Sequence, residues 1–397
     1  MTYDFDQLID RRGTGALKLE ALLPRFGRSD LLSMWVADMD FATPPFIIDA
    51  LRRRLEHPVL GYTVTPPEYY RAIQQWVWEH HGYRVRGEWL AYIPGIVKGI
   101  GLVCDYFTER GDEVVIQPPV YHPFRLTPGG LGRKIVYNPL IAPEEAPVGG
   151  GTNYRMDFAG LAKVITPRTK FILISNPHNP AGVVWSPEEL RRLARFAVER
   201  GLIVVSDEIH ADMALFGHKH TVFTSVSAEA EECGIVFGAP TKTFNIAGIV
   251  SSYCFIPNPK LREGFYAWLE AGEQSDANMM APIATIAAFS PEGEEWRKQM
   301  VEYLEGNVRQ VEDYLREHIP EVLPWRPEAS YLVWLDCRKL GLNHDELQDL
   351  FINRARLALN DGEMFGREGA GFMRLNIGCP RSVVEEALER LRAALER

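Results

Sequence analysis

Lys242 follows a short apolar run, and this position makes it a candidate for chemistry. The run Gly234–Gly238 is typical of a buried strand, and the lysine comes four residues after its last glycine. Open α/β sheets bind ligands at the carboxyl ends of their strands. In a semi-enclosed site an amine loses hydration, which lowers its pKa and favours attack on an aldehyde. The position is suited to a Schiff-base lysine, although a surface lysine would be the better explanation if this residue stood alone.

Three other predicted strands end near side chains with reactive or hydrogen-bonding groups. The strands, each given with the side chain that follows it within four residues, are Glu113–Gln117 with Tyr121, Phe171–Ser175 with Asn179, and Leu202–Ser206 with Asp207. Parallel strands present their carboxyl ends at one edge of a sheet, so these side chains are expected to share a cleft with Lys242.

As a set, these residue types suit pyridoxal 5'-phosphate. Lys242 would hold the aldehyde of the cofactor, and Asp207 would pair with the pyridine nitrogen and keep it protonated. Asn179 would hydrogen-bond the phenolic oxygen, and Tyr121 offers a flat face to stack on the ring. Each of these three residues also has a purely structural interpretation: Asp207 as a strand-end cap, Asn179 as a turn residue and Tyr121 as a core aromatic. The prediction therefore depends on the combination.

The phosphate of such a cofactor requires hydrogen-bond donors. A candidate helix opens within 94–97, directly after the strand-like segment Trp89–Ile93. Because N–H groups at a helix N-terminus bind anions, Ile96 and Val97 are predicted to contact the phosphate. The hydroxyl of Thr241, beside the lysine, is a further predicted donor.

The elements that position these residues are βαβ units. From about residue 90 to 255, short β-branched runs alternate with helical patterns, which predicts an α/β fold with a mostly parallel sheet. The best defined helix runs from Ser186 to Arg200, with Ser186 as N-cap and Glu189 completing a capping box.

A different pattern follows towards the C-terminus. Strand-like segments at Tyr331–Leu335 and Phe372–Asn376 precede a last helix that Ser382 and Glu385 are predicted to cap. These elements predict a compact α+β unit that forms a second, smaller domain.

Composition excludes several classes of function. The 397-residue chain is 46% hydrophobic and has a net charge of −10, which argues against nucleic-acid binding because no basic stripe stands out. No uncharged run approaches membrane-spanning length, so we expect neither membrane insertion nor secretion. Five scattered cysteines suit a reducing cytoplasm. No metal site is predicted, since His218 and His220 lack further ligands and are interpreted as part of a polar loop.

Three motifs together resemble a known family. They are Asn176-Pro-His-Asn-Pro-Ala-Gly182, Asp207-Glu-Ile-His210 and the strand before Lys242. In this order and spacing they resemble fold-type I pyridoxal-phosphate enzymes of the aminotransferase class I/II superfamily. The resemblance implies a large cofactor-binding domain, residues 45–285, with a mostly parallel seven-stranded sheet. It also implies a small α+β domain built from both chain ends, residues 1–44 and 286–397.

The same resemblance implies how the substrate is held. The arginine that grips the α-carboxylate in this family falls on Arg374, with Arg381 as the nearest competitor. A bidentate grip would fix the Cα–H bond for cleavage. Ala37 is implied as a further substrate contact. Tyr62 matches the tyrosine that reaches the neighbouring subunit's phosphate, which implies a homodimer.

Departures from the aminotransferase pattern point to one branch of the family. His210 stands where many aminotransferases carry a tyrosine, and we assign it as a cofactor contact. Val250 replaces a phosphate-binding arginine, and Ala239 replaces a common serine. Together with the segments 36–44 and 374–382, the first two departures resemble the MalY/PatB branch of cystathionine β-lyases, also called C–S lyases.

This branch implies α,β-elimination, which yields pyruvate, ammonia and a thiol. Lys242 is the most plausible general base, because the incoming amine of the substrate frees it beside Cα. Transamination remains the alternative, since the same carbanion can be reprotonated at the cofactor. A regulatory protein that retains the cofactor is a third alternative. Trp35 either lines the substrate entrance or packs in the interior.

Overall fold

The computed structural model describes residues 2–144, 146–150 and 153–396. The strands, in chain order, are β1 (Leu32–Ser33), β2 (Leu90–Ile93), β3 (Glu113–Ile116), β4 (Lys134–Tyr137), β5 (Thr169–Ser175), β6 (Ile203–Asp207), β7 (Gly234–Gly238), β8 (Ser252–Phe255), β9 (Leu323–Trp325), β10 (Leu332–Asp336), β11 (Leu357–Ala358), β12 (Asn360–Asp361) and β13 (Phe372–Asn376).

The α-helices surround the sheets that these strands form. In chain order they are α1 (Leu17–Glu20), α2 (Leu22–Phe26), α3 (Pro45–Leu55), α4 (Pro67–His81), α5 (Ile96–Phe107), α6 (Pro123–Gly130), α7 (Phe158–Val164), α8 (Pro187–Glu199), α9 (Ala228–Cys233), α10 (Pro259–Ala271), α11 (Met280–Ala288), α12 (Pro291–His318), α13 (His344–Asp349) and α14 (Arg381–Leu395).

A seven-stranded sheet forms the centre of the molecule, in the order β2-β8-β7-β6-β5-β3-β4. The pairs among β7, β6, β5, β3 and β4 are all parallel. β8 runs antiparallel to both of its neighbours. The carboxyl ends of the parallel strands therefore share an edge with the amino end of β8. The α/β class and the mostly parallel, seven-stranded sheet are confirmed.

The predicted strands and the helix between β5 and β6 lie where the sequence pattern put them, within two residues at each end. Ser186 caps α8, and its hydroxyl accepts a hydrogen bond from the backbone N–H of Glu189 at 3.2 Å. The buried face of α8 consists of Leu190, Leu193, Ala194, Phe196 and Ala197. The helix packs beside β6, the strand that ends at Asp207.

Two smaller sheets lie outside the central sheet, and one of them joins the two ends of the chain. An antiparallel sheet has the order β12-β13-β10-β9, while β1 from the N-terminal segment pairs in parallel with β11. The N-terminal segment is thereby held beside the C-terminal strands. This pairing brings residues 34–40 to the edge of the central sheet, where main-chain bonds join Met34 to Ala358 and Asp40 to Gly378.

One prediction from local sequence was wrong. The last helix, α14, begins at Arg381 after Pro380, and no side chain caps it. Proline at the N-cap fixes the extended entry to the helix, so Ser382 lies inside the first turn. Residues 218–220 do form a loop, in which His218 is exposed whereas His220 is buried and its Nε2 contacts the carboxylate of Glu208 at 2.7 Å.

Candidate active site

A cavity of about 190 Å³ opens at the carboxyl edge of the central sheet. Its lining residues are Ala37, Gly95, Ile96, Val97, Tyr121, Ser175, Asn179, Asp207, Ile209, His210, Thr241, Lys242, Ala247, Val250 and Ser252. The sequence-predicted cofactor residues on this list come from five separate segments, which the parallel strands bring to one edge. We refer to this space as the inner cavity.

Asp207 ends β6 and lies buried on one wall of the inner cavity. Its Oδ1 accepts a hydrogen bond from the backbone N–H of Ile209 at 3.1 Å. Burial raises the pKa of this carboxyl to about 7, although that hydrogen bond and the charge of Lys242 act in the opposite direction. A carboxyl with so few partners can bind a cationic N–H group within the cavity.

Lys242 lies in a turn that follows β7. The turn is closed by main-chain bonds from Phe244 to Pro240 and from Ile246 to Thr241, and the buried ring of Phe244 anchors it in the core. The Nζ of Lys242 donates a hydrogen bond to the carbonyl oxygen of Ala37. Burial lowers the pKa of this amine to about 8, so it becomes a nucleophile and a base near neutral pH.

The N-terminus of α5 forms a second wall. Gly95 adopts a left-handed φ of 101° just before the helix, and the first turn of any α-helix leaves its N–H groups without intrahelical acceptors. Ile96 and Val97, which begin this helix, line the cavity, as do the hydroxyl-bearing Thr241 and Ser252. Ser252 was not identified from the sequence, and it reaches this edge only because β8 runs antiparallel.

Val250 also lines the wall nearest Gly95. Its φ of 56° places it in the left-handed region, which is strained for a β-branched residue. A side chain without a hydrogen-bond donor therefore occupies the position at which the aminotransferase pattern has a phosphate-binding arginine. The donors at this end of the cavity are backbone N–H groups and hydroxyls.

Asn179 connects the inner cavity to a buried arginine. Its Oδ1 accepts a hydrogen bond from Nη1 of Arg374 at 2.9 Å, and its carbonyl oxygen accepts one from the backbone N–H of Tyr121 at 3.1 Å. Its own N–H donates to the hydroxyl of Ser175 at 3.1 Å. Asn179 and Tyr121 thus hold each other at the cavity wall.

Arg374 lies on β13 and is buried, although its charge has no carboxylate partner in the described part of the chain. Its Nη2 donates to the carbonyl oxygen of Trp35 at 2.9 Å and to Oδ1 of Asn360 at 2.6 Å. Desolvation lowers the pKa of the guanidinium to about 10. Such a cation, held by neutral acceptors only, is prepared to bind an anionic ligand.

Asn360 was not identified from the sequence. It is the cross-strand neighbour of Arg374 in the β12–β13 pairing, and no local motif marks it. Arg381, the alternative candidate, lies elsewhere: its Nε donates to Oδ1 of Asn307 at 3.4 Å and its guanidinium covers the ring of Tyr303. Arg374 is therefore the arginine that the fold brings to the cleft.

His210 lies at the inner cavity with its ring buried. Burial, together with the charges of Lys242 and Arg374, lowers the pKa of the imidazole to about 3, so the side chain is neutral at physiological pH. Its Nδ1 has no hydrogen-bond partner within the described residues. The nearby hydroxyl of Tyr331 donates to the carbonyl oxygen of Ala37 at 2.9 Å, which fixes the backbone beside Lys242.

A second space, of about 680 Å³, continues outward from the inner cavity, and we call it the outer cleft. It is lined by Leu17, Ala21, Pro24, Arg25, Trp35, Val36, Ala37, Tyr121, His122, Lys242, Asn360 and Arg374. Trp35 both lines this cleft and packs in the interior, where its buried Nε1 donates to the carbonyl oxygen of Lys18 at 3.0 Å.

Tyr62 is separate from both spaces. Its side chain is fully exposed in the single chain, and so is much of the neighbouring apolar surface of Val59, Leu60 and Val64. Its assignment as a contact to a second subunit therefore stays a prediction. Within the described residues, no three side chains of metal-binding type lie together as a metal site would require, and no helix there is long and apolar enough to cross a membrane.

Comparisons with known proteins agree with this geometry. Residues 29–391 match the family described as aminotransferase class I and II. The cystathionine beta-lyase PatB of Bacillus subtilis (strain 168) is 39% identical, with 99% of this chain and 100% of that protein covered. Protein MalY of Escherichia coli (strain K12) is 33% identical, with 97% of each covered. The structure of the PLP-bound C-S lyase from Staphylococcus hominis has a TM-score of 0.91 and 33% identity, covering 100% of this chain and 99% of that one.

Proposed function

The chain belongs to the aminotransferase class I and II family, and from this premise we propose that it is a cysteine-S-conjugate β-lyase of the cystathionine β-lyase type. Its cofactor is pyridoxal 5'-phosphate. The reaction breaks the Cα–H and Cβ–S bonds of an S-substituted cysteine. It releases a thiol, and the remaining enamine hydrolyses to pyruvate and ammonia.

The residues of the inner cavity fit this cofactor in their chemical types. An amine with a lowered pKa and a buried carboxyl that accepts a hydrogen bond from the backbone N–H of Ile209 both face the cavity. A helix N-terminus and the hydroxyls of Thr241 and Ser252 lie on its walls. An aldehyde, a pyridine nitrogen and a phosphate each find a suitable partner in this set. When bound, the cofactor supplies an electron sink for a carbanion at the substrate's Cα.

Each of these residues then has a task that suits its surroundings. Lys242 would hold the cofactor and would take the proton from the substrate's Cα, since its lowered pKa keeps a useful fraction of the amine unprotonated. Asp207 keeps the pyridine nitrogen protonated. Arg374 binds the α-carboxylate and orients the Cα–H bond.

The remaining contacts complete the assignment of the cavity. Ile96, Val97 and Thr241 donate to the phosphate, while Tyr121 covers the ring. Asn179 serves both the cofactor's phenolic oxygen and Arg374. Neutral His210 offers an unpartnered nitrogen to the cofactor, and the carbonyl oxygen of Ala37 accepts from Lys242 or from the substrate's amino group.

The proposal also covers the domain bounds, the oligomeric state and the cellular location. Residues 45–285 form the cofactor-binding domain, and residues 1–44 and 286–397 form the smaller one. The exposed ring of Tyr62, with its exposed apolar neighbours, supports a homodimer in which this tyrosine reaches the other subunit's phosphate. Five free, buried cysteines support a reducing cytoplasmic location.

The observation that carries the proposal is the convergence of Lys242, Asp207 and Arg374 on connected spaces, in a chain 39% identical to a cystathionine beta-lyase. The test is to incubate the protein and pyridoxal 5'-phosphate with L-cystathionine in the absence of any keto acid. We expect sustained pyruvate with one equivalent of thiol. If pyruvate is absent, and added 2-oxoglutarate instead yields glutamate from an amino acid, the enzyme is an aminotransferase and the proposal is wrong.

A further inference from the structure

The outer cleft carries a distinct charge pattern. Of the residues that line it, Arg25, Lys242 and Arg374 are cationic, and none bears a carboxylate. The proposed function, on which this inference rests, uses two of these cations: Lys242 for the cofactor and Arg374 for the α-carboxylate. Arg25 is left without a task, in a space that opens directly from the reacting atoms.

Arg25 is held in place without being neutralised. Its guanidinium lies 4.7 Å from the centre of the Trp35 ring, and its Nη2 donates to the sulfur of Met364 at 3.2 Å. Neither partner carries a charge, and no ion pair of Arg25 is found in the described part of the chain. Stacking on an aromatic ring orients a guanidinium while leaving its N–H groups free for an anion.

Trp35 relates the two arginines to each other. Arg374 donates to the main-chain oxygen of Trp35, whereas Arg25 covers the ring of the same residue. The two guanidiniums thus contact the same residue, one at its main chain and the other at its ring, and both line the outer cleft. A small molecule with a carboxylate at each end therefore meets both cations within one space.

His122 lines the cleft between these charges and contributes no further cation. Burial and the nearby arginines lower the pKa of its imidazole to about 4, so it is neutral at physiological pH. Its buried Nδ1 has no partner among the described residues. A neutral hydrogen-bonding group beside Arg25 suits a polar anionic ligand.

We propose that Arg25 binds a carboxylate on the sulfur substituent of the substrate. The preferred substrate class is then an S-substituted cysteine whose departing thiol carries an anionic group. Arg374 holds the α-carboxylate, and Arg25 holds the distal one. Arg25 acts here as a specificity-determining residue and takes no part in bond breaking.

The test compares two substrates that differ only in charge, S-(2-carboxyethyl)-L-cysteine and its amide, S-(2-carbamoylethyl)-L-cysteine. The holoenzyme is assayed for kcat/KM by pyruvate release, and for binding by the change in visible absorbance on titration. We expect the carboxylate substrate to be favoured about 10- to 100-fold, because hydrogen bonds to charged groups have this weight. Arg25→Gln should reduce the preference to about threefold or less, with the amide substrate unaffected.

Arg125→Gln is the matched control. Arg125 also lies near His122 but lines a neighbouring cavity rather than the outer cleft, so its removal changes the net charge equally and should leave the preference intact. Arg25→Lys should restore part of the preference, as a point charge without the planar fork.

Three outcomes would overturn the inference. One is a wild-type enzyme that does not distinguish the two substrates, and another is an Arg25→Gln variant that keeps the full preference. The third is an Arg25→Gln variant that loses activity on both substrates equally. Should neither substrate yield pyruvate, the proposed elimination fails instead. The absorbance titration with the same pair then still decides whether Arg25 selects the carboxylate.

Discussion

The inner cavity and the outer cleft share Lys242 but are built in opposite ways. The inner cavity is formed mainly by segments that follow strands of one sheet, and burial there shifts the pKa of its groups. The pKa of Asp207 is raised, whereas those of Lys242 and His210 are lowered. The outer cleft is formed by N-terminal and C-terminal segments, and its arginines are held by neutral acceptors and rings.

This difference separates two tasks. Groups whose protonation is tuned by burial can transfer protons near neutral pH. Cations without carboxylate partners can select and orient anionic substrates. Changes in the inner cavity should therefore alter kcat, and changes in the outer cleft should alter KM.

Removing the inner amine should have the largest effect. We expect Lys242→Ala to lower kcat for pyruvate release by at least about 1000-fold, because both the covalent attachment and the general base are lost. The measurement is steady-state pyruvate formation with L-cystathionine. Lys163→Ala, which removes an exposed lysine of α7, should retain normal activity. A Lys242→Ala enzyme with nearly normal kcat would show that another residue takes the proton.

Replacing the inner carboxyl should affect activity and stability in opposite directions. Asp207→Asn should lower kcat by about 100- to 1000-fold, because an amide cannot hold the pyridine nitrogen protonated. In the cofactor-free protein, however, the same change removes a buried carboxyl that resists ionisation. Its free energy of unfolding at about pH 8 should rise by about 2–4 kcal/mol, from the size of the pKa shift.

The pH dependence of that stabilisation follows from the sign of the shift. The pKa of Asp207 is raised from 3.8 to about 7 in the folded protein, so between these values the unfolded chain loses a proton that the folded chain keeps. Stability therefore falls as pH rises through this window. Urea unfolding should show the advantage of Asp207→Asn shrinking as pH falls towards 4, while exposed Asp49→Asn shows no such trend. An advantage independent of pH would contradict the buried-carboxyl explanation.

Removing one hydrogen-bond acceptor of Arg374 should have the smallest effect, and it should change KM rather than kcat. Asn360→Ala removes the acceptor at 2.6 Å from Nη2 of Arg374. We expect KM to rise about tenfold while kcat changes by about threefold or less, since one hydrogen bond to a charged group is lost. Asn360→Asp should raise KM further, because its carboxylate competes with the substrate for the guanidinium.

The control for this series is Asn353→Ala, which removes an exposed asparagine whose side chain donates to Oδ1 of Asp349 at 2.9 Å. A fall in kcat without a change in KM for Asn360→Ala would contradict the division between the two regions. It would mean that Asn360 acts on the inner cavity through Asn179, another acceptor of Arg374.

Residue patterns predicted the inner cavity well because its signals are local. A strand, its tight ending and the side chain that follows are adjacent in sequence, as in the segments that lead to Asp207 and Lys242. Parallel pairing then places such endings at one edge without further information. Ser252 was not predicted, since β8 is antiparallel and its amino end, rather than its carboxyl end, lies at this edge of the sheet.

The amino-acid sequence by itself determined the type of sheet, the cofactor and the place of Lys242 after a buried strand, since each depends on residue types at short spacing. Only the tertiary structure decided that Arg374 rather than Arg381 enters the cleft, that Asn360 and Trp35 hold it, and that Arg25 faces the substrate's path. The physical reason is that the hydrogen bonds at these positions form between different segments of the chain, 14 residues apart for Asn360 and Arg374 and 339 residues apart for Trp35 and Arg374. No local pattern encodes such contacts.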